Sequence, residues 1–223
     1  HTHCFEALQN NQSRLIDSIR YQLPFPFVTH PLLGSFFNKL LNKQFTFRHK
    51  RLKEDLYQIS RYPNQPLKIA ISGSSGLIGT QLCHFLTCAG HHVVPITRTK
   101  IKENDLVLNT KTGEYPCLNN IDVLMHLAGE SIASPIRWSQ KKKDEIYNSR
   151  ITSSKLLKKS IKENPPKVII CASAIGAYPQ SHNNECFNEE SSFDSHFLAQ
   201  VVQDWEAALC ETKQEGKETP HQR

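Results

Sequence analysis

The stretch that decides the fold of this chain reads Gly73-Ser74-Ser75-Gly76-Leu77-Ile78-Gly79. It follows a short apolar run, Leu67–Ser72, which is typical of a buried strand. It opens a second apolar stretch, Leu77–Ala89, which is followed by Gly90, a residue that commonly ends a helix. The three glycines therefore lie in a predicted strand–turn–helix unit.

Outward from this unit, short apolar strands alternate with helices. The remaining predicted strands are His92–Thr97, a weak Asp105–Asn109, Ile121–Ala128 and Lys167–Ala172, and the remaining predicted helices are Trp138–Asn164 and Phe197–Lys213. Because such alternation joins parallel strands through helical crossovers, the sequence predicts an α/β fold with a doubly wound parallel sheet of the Rossmann type. The polar residues after Glu211 contain no sixth strand. We therefore expect a sheet that is incomplete at its C-terminus and a chain cut before the substrate lobe.

The glycine spacing indicates a phosphate-binding loop. Gly73 permits a tight turn, Gly76 lets backbone N–H groups approach a pyrophosphate, and Gly79 lets the helix lie close to the sheet. The first interval is one residue wider than in the common dinucleotide fingerprint. The helix N-terminus adds partial positive charge. We expect the loop to hold NADP or NAD, with further contacts from Ser74, Ser75, Leu77 and Ile78.

The residue that discriminates the two cofactors is expected at the end of the next strand. No acid that would bond a ribose 2′-hydroxyl occurs there before Glu103, whereas Arg98 lies 19 residues after Gly79. A guanidinium at this position pairs with a 2′-phosphate. The sequence therefore favours NADP over NAD, with a plain surface arginine as the alternative.

Several motifs in order resemble one superfamily. They are Gly73–Gly79, Leu127–Glu130, Arg137–Ser139, Ser149-Arg150, Ser173–Tyr178, Phe197–Ala199 and Asp204–Glu206. Together they resemble the short-chain dehydrogenase/reductase superfamily, and more narrowly its atypical epimerase/dehydratase-like branch, the sugar-nucleotide epimerase type. The resemblance covers Leu67 to about Leu209.

This resemblance implies roles for individual residues. Leu127, Ala128 and Gly129 would back the adenine and ribose side of the cofactor. Ser173 stands where the superfamily places the Ser or Thr that hydrogen-bonds the reacting oxygen, and it is the candidate catalytic residue. Tyr178 resembles a tyrosine that is usually structural in extended members.

Three further residues have a structural interpretation beside a functional one. We interpret His126, inside a predicted strand, as a buried histidine with satisfied hydrogen bonds. Arg137 and Arg150 would edge the cofactor or substrate cleft, or would form ion pairs along the helix with Asp144 or Glu145.

The chain departs from the superfamily in its acid–base pair. Superfamily hydride chemistry uses Tyr-x-x-x-Lys, in which the lysine lowers the pKa of the tyrosine. None of the six tyrosines here has Lys four residues later, and about 25 residues past Ser173 the chain reads Phe197–Val202. The resemblance still implies an NAD(P)-dependent oxidoreductase or epimerase acting on a nucleotide-sugar-like or other hydroxyl/carbonyl substrate. The alternatives are a non-catalytic NADP-binding or ligand-sensing module and a non-functional fragment.

The first 62 residues differ in pattern from the rest. Thr2–Phe5 and Arg14–Leu23 are predicted to form a hairpin, Leu32–Ser60 a long amphipathic helix, and residues 63–66 a Pro-rich linker to the domain over 67–223. A hairpin and one helix make a poor core alone. The segment resembles the C-terminal part of a START-like, polyketide cyclase helix-grip domain, which implies a ligand-binding remnant. Because the chain begins with His1, we expect it to be a fragment at this end too.

Charge and cysteine usage exclude several classes of function. Residues 1–66 hold nine Lys/Arg against four Asp/Glu, chiefly through Arg48–Lys53, which we interpret as a solvated helix face rather than a nucleic-acid patch. No apolar run suits a membrane span, and the oligomeric state is left open. Seven scattered cysteines predict no disulfide framework, and His1 and His3 have no Cys/His cluster near them in sequence, so no metal site is predicted. A reducing cytoplasm is the expected compartment.

Overall fold

The computed structural model describes residues 1–10, 12–62, 65–100, 105–133, 137–179 and 185–210, apart from the side chains of residues 26, 28–32 and 210. The chain divides into two compact units, His1–Pro63 and Asn64–Arg223. Within the described residues, no helix combines the length and apolarity that a membrane crossing requires.

The first unit consists of an antiparallel hairpin and one long helix. Strand β1 (Thr2–Ala7) pairs with β2 (Ser13–Ser18), and helix α1 runs over Pro26–Arg61. Several large apolar side chains of α1 are exposed, among them Phe36 and Phe47, as the small predicted core leads one to expect. Lys50 and Arg51 form i,i+4 ion pairs with acids one turn further along α1, which agrees with a solvated helix face.

Two boundaries in this unit were predicted wrongly. The second strand ends at Ser18 rather than at Leu23, and α1 begins at Pro26 rather than at Leu32. Proline fits the first helical turn because its missing N–H would have no intrahelical partner there. The helix also includes Pro31, which has no backbone N–H and so leaves one helical hydrogen bond unmade. Apolar periodicity alone does not predict that a helix continues through such a residue.

The second unit is a five-stranded parallel sheet with helices on both faces, as predicted. Its strands are β3 (Lys68–Ser72), β4 (His92–Thr97), β5 (Leu106–Val107), β6 (Val123–His126) and β7 (Val168–Cys171). Its helices are α2 (Leu77–Cys88), α3 (Gln140–Glu163) and α4 (Phe197–Cys210), with a short 3-10 helix at Ile175–Ala177. The strand order is β5-β4-β3-β6-β7.

The core lies on both faces of the sheet because the central strand alternates its side chains. Ile69 and Ile71 of β3 pack with Leu86 of α2, whereas Ala70 packs with Leu156 and Leu157 of α3. Each face of β3 is therefore covered by a different helix, which is the doubly wound arrangement.

Strand β7 is less buried than its apolar sequence suggests. Val168, Ile169 and Ile170 are 48%, 39% and 46% exposed, although the run Lys167–Ala172 is typical of a buried strand. The cause is position: β7 is an edge strand of the described sheet, paired only with β6.

Candidate functional site

The candidate site lies where the order of the strands reverses. After β3 the chain builds β4 and β5 on one side of it, and then crosses over to β6 and β7 on the other. The carboxyl ends of β3 and β6 are adjacent, with Ser72 opposite His126, and the Leu127 N–H donates to the Ser72 carbonyl (3.1 Å). In open α/β sheets, ligands bind in the crevice at such a switch point.

Two glycines allow the loop after β3 to pack closely. Gly73 has φ +76°, and a Cβ there would lie 2.8 Å from the backbone carbon of Leu127. A Cβ on Gly79 would lie 2.1 Å from the Gly73 carbonyl oxygen, so α2 begins directly against the loop. Gly73–Gly79 and Leu127–Gly129, which sequence reasoning assigned to one cofactor, are therefore neighbours.

The N-terminus of α2 has no side-chain cap. Gly76 is the N-cap residue, its own N–H donates to the Gly73 carbonyl (3.0 Å), and the Thr80 N–H makes the first helical bond to the Gly76 carbonyl (2.9 Å). The N–H groups of the first turn have no intrahelical acceptor, because no carbonyl precedes them at the right distance. Leu77 and Ile78 are 89% and 71% exposed. An uncapped helix start beside a tight glycine turn fits the phosphates of a nucleotide cofactor.

Three basic side chains act on Glu130, which lies in the turn after β6. The Lys142 ammonium lies 2.6 Å from Glu130 Oε1, and its hydrogen bond is the main reason why the pKa of Glu130 lies below its usual value. The charges of Arg98 and Arg150 lower that pKa further, which places Arg98 within electrostatic range of the carboxyl end of β6.

Arg150 is fixed by its own contacts at this edge. Its guanidinium donates to the carbonyls of Glu130 (3.0 Å) and Ile146 (3.1 Å), and its carbon lies 5.3 Å from the centre of the Trp205 ring. Burial lowers the pKa of Arg150 from its usual value. A Cβ on Gly129 would lie 2.8 Å from this guanidinium. Arg150 therefore supports the turn after β6, whereas Asp144, its alternative partner, accepts from Gln140 (2.9 Å).

His126 is a buried histidine, as expected. It is 0% exposed, and its Nδ1 lies 2.6 Å from Ser72 Oγ. Its Nε2 lies 3.2 Å from Ser154 Oγ and 3.3 Å from Ser153 Oγ. Burial lowers the pKa of His126 to about 4, so the ring is neutral near pH 7. This network ties β3 to β6 and α3 directly below the glycine loop.

Ser173 follows the carboxyl end of β7 and has a partner that sequence reasoning did not assign. Its hydroxyl donates to Oε1 of Glu206 on α4 at 2.5 Å. The signal was present in the sequence, since Glu206 belongs to the stretch that carried the family resemblance. Its contact with Ser173, 33 residues away, is visible only in the fold.

The positions expected for the usual Tyr and Lys carry core residues instead. The Phe197 ring lies 6.0 Å from Trp138, between ring centres, and Val201 is 2% exposed. Tyr178 stacks on Phe187 with ring centres 5.9 Å apart, in agreement with a structural role. Arg137 is exposed.

Comparison with known sequences identifies relatives of the second unit. The sequence profile of the NAD dependent epimerase/dehydratase family matches residues 69–201. The epimerase family protein Mb2239 of Mycobacterium bovis is 35% identical over 151 residues, covering 66% of this chain and 50% of the relative. YfhF of Bacillus subtilis, also an epimerase family protein, is 34% identical over 148 residues, covering 63% and 48%. The chain spans about half the length of the curated relatives it matches.

Two solved structures are similar in both fold and sequence. A nucleoside-diphosphate sugar epimerase from Corynebacterium glutamicum superposes with a TM-score of 0.72 at 31% identity, covering 93% of this chain and 42% of that one. The human epimerase family protein SDR39U1, solved with NADPH, superposes with a TM-score of 0.57 at 28% identity, covering 64% and 48%. Because the family profile covers more than half of its residues, this chain belongs to the NAD dependent epimerase/dehydratase family.

Proposed function

We propose that this chain is the cofactor-binding part of an NAD(P)-dependent oxidoreductase or epimerase acting on a nucleotide-sugar-like or other hydroxyl/carbonyl substrate. One observation carries the proposal: an uncapped helix start at Gly76 follows a tight turn whose Gly73 lies directly against the backbone of Leu127, at the switch point of a parallel sheet. The Corynebacterium structure, described as a nucleoside-diphosphate sugar epimerase, supports the substrate class.

The preferred cofactor is NADP. Arg98 comes directly after β4, is exposed, and has its charge within range of Glu130. A 2′-phosphate on the cofactor ribose would pair with this guanidinium. The human relative was solved with NADPH, which supports the same choice. Ser74 to Gly79 would hold the diphosphate, and Leu127, Ala128 and Gly129 would back the adenosine half.

Ser173 and Glu206 would handle the proton. The nicotinamide, when bound, accepts or returns the hydride. When the carbon that bears a substrate hydroxyl loses hydride, the hydroxyl proton would pass to the Ser173 oxygen. At the same time the Ser173 proton would pass to the Glu206 carboxylate. The reverse transfer completes reduction. This route replaces the tyrosine and lysine, whose positions hold Phe197 and Val201.

Cofactor titration of the full chain tests the binding half of this proposal. We expect saturable quenching of intrinsic fluorescence by NADPH, with NADH binding at least about tenfold more weakly because one charge-assisted hydrogen bond is missing. A folded chain that binds neither cofactor would sink the proposal.

Turnover separates an enzyme from a binding module. With UDP-glucose and related sugars and oxidised cofactor as probes, we expect one of two results: net reduction of the nicotinamide, seen in its absorbance, or, for an epimerase that returns the hydride, a changed sugar seen by NMR. Glu206→Gln should abolish either one. NADPH binding without turnover, in a protein that includes the rest of the fold, would favour the non-catalytic module.

The domain organisation is also a proposal. We infer that residues 1–62 are the end of a helix-grip ligand-binding domain, that 63–66 form a linker, and that the sheet of 67–223 continues beyond β7. The half-exposed apolar residues Val168, Ile169 and Ile170 support the last point, because a further strand or helix would cover them.

A further inference from the structure

Three histidines of the first unit approach the carboxylate of one aspartate, Asp17. His1 and His3 lie two residues apart on β1 and therefore share a face. Asp17 of β2 stands directly opposite His3 in the hairpin register. His49 of α1, which comes 32 residues after Asp17 in the chain, lies near the same carboxylate.

The two oxygens of the Asp17 carboxylate have different histidine neighbours. His1 Nε2 lies 3.7 Å from Asp17 Oδ1, and His3 Nδ1 is hydrogen-bonded to the same oxygen. His49 Nε2 lies 3.7 Å from the other oxygen, Oδ2. The ligand atoms of His1, His3 and Asp17 all fall within 4.8 Å of one another. In a tetrahedral zinc site with bonds of about 2.0–2.2 Å, neighbouring ligand atoms are roughly 3.3–3.6 Å apart. The direct hydrogen bond between His3 and Asp17 would therefore be replaced by two bonds to the ion.

Burial and charge explain why these groups favour a cation. The Asp17 side chain is only 3% exposed, and a buried carboxylate needs a positive partner. The His1 and His3 rings lie 4.2 Å apart between centres, so their nitrogens are near enough to each other to bind one ion. Imidazole nitrogens and carboxylate oxygens are ligands that zinc-type cations accept. Phe45 stands edge-on to both His1 and His49, at 6.0 and 6.2 Å, and forms an apolar wall beside them.

We propose that His1, His3, Asp17 and His49 form a binding site for a divalent transition-metal cation of the zinc type. His1, His3 and one Asp17 oxygen would supply three ligands, and His49, which approaches the other Asp17 oxygen, would supply the fourth of a tetrahedral set. The site lies in the first unit and is independent of the cofactor proposal. Sequence spacing predicted no metal here, because Asp17 and His49 join the two histidines only through strand pairing and helix packing.

Cobalt and zinc titrations test the site directly. The full chain, freed of metal and purified without a polyhistidine tag, is titrated with Co²⁺ and the visible absorption typical of tetrahedral Co²⁺ is followed. We expect saturation at one ion per chain and displacement of Co²⁺ by Zn²⁺. X-ray absorption of the zinc form should then show a nitrogen- and oxygen-only shell.

Substitutions identify the ligands. Asp17→Asn and His3→Gln should each weaken Co²⁺ binding by at least about tenfold, since even outer partners of metal ligands change affinity by that factor. His49→Gln should weaken binding by the same factor while Asp17 and the hairpin keep their own residues, because the His49 side chain belongs to α1 and is 58% exposed. His84→Gln, at an exposed histidine of α2 in the second unit, is the matched control and should bind as wild type does.

Two results would overturn the proposal. One is a folded wild-type chain that shows no tetrahedral Co²⁺ band, which would leave the four residues as a histidine–carboxylate ion-pair cluster. The other is equal Co²⁺ affinity in wild type, His3→Gln and His49→Gln, which would place the bound ion elsewhere. Circular dichroism of each variant establishes that it is folded before its affinity is compared.

Discussion

Replacing Gly79 by alanine should disable the proposed phosphate site through the backbone alone. The new methyl group would lie 2.1 Å from the Gly73 carbonyl oxygen, against 3.4 Å for an ordinary contact. The oxygen belongs to backbone and the methyl group is bonded directly to backbone, so neither can rotate away. The start of α2 must therefore move by about 1 Å, a displacement that misaligns hydrogen-bond donors. Charge-assisted hydrogen bonds contribute about 1.5–3 kcal/mol each. Losing two of them weakens NADPH binding by more than about a hundredfold.

Fluorescence titration with NADPH measures this loss, and two other glycines calibrate it. Gly76→Ala places a methyl group 3.2 Å from the same oxygen and should have an intermediate effect. Gly90→Ala meets open space but adopts φ +89°, so it should lower stability by roughly 1–2 kcal/mol and leave NADPH affinity unchanged. A folded Gly79→Ala protein that binds NADPH as tightly as Gly90→Ala would refute the reasoning.

Three further outcomes are expected. Arg98→Ala should lower NADPH affinity at least about tenfold and leave NADH affinity unchanged, and equal losses for both cofactors in titrations would contradict a 2′-phosphate contact. His126 is neutral in the fold with a pKa of about 4, below its ordinary 6.5, so its contribution is complete above pH 6.5 and decreases as the pH falls towards 4. The loss is about 3 kcal/mol in the free energy of unfolding, measured with urea. His126→Asn should remove this pH dependence, and a variant whose stability depends on pH as the wild type's does would show that His126 is not the cause. Glu206→Gln should abolish turnover while NADPH binding persists, and an unaffected rate would show that Ser173 passes its proton elsewhere.

The sequence was most informative where local patterns alone determine structure. The strand–glycine–helix unit, the bounds of β4 and the alternation of strands and helices follow from periodicity and from glycine chemistry. The doubly wound sheet and the contact of Gly73 with the turn at Leu127 then follow from the rules of parallel sheets. The burial of His126 was likewise predictable from its position inside an apolar strand.

Features that depend on distant partners were not predictable. Glu206 reaches Ser173 only because α4 packs against α3 and the 3-10 helix that follows β7. β7 is exposed because of its place at the edge of the described sheet. His49 meets Asp17 only after α1 has folded against the hairpin. No spacing rule connects such residues, since each contact is set by the packing of whole elements.

Amide NMR of the 15N-labelled full chain, recorded while NADPH is added, tests the central claim most directly. The claim is that the loop after β3 and the turn after β6 together hold the cofactor. We predict that the largest shift changes fall on the amides of Ser74–Gly79 and Leu127–Gly129, and that they saturate together. Saturable NADPH binding that leaves these amides unchanged would contradict the claim.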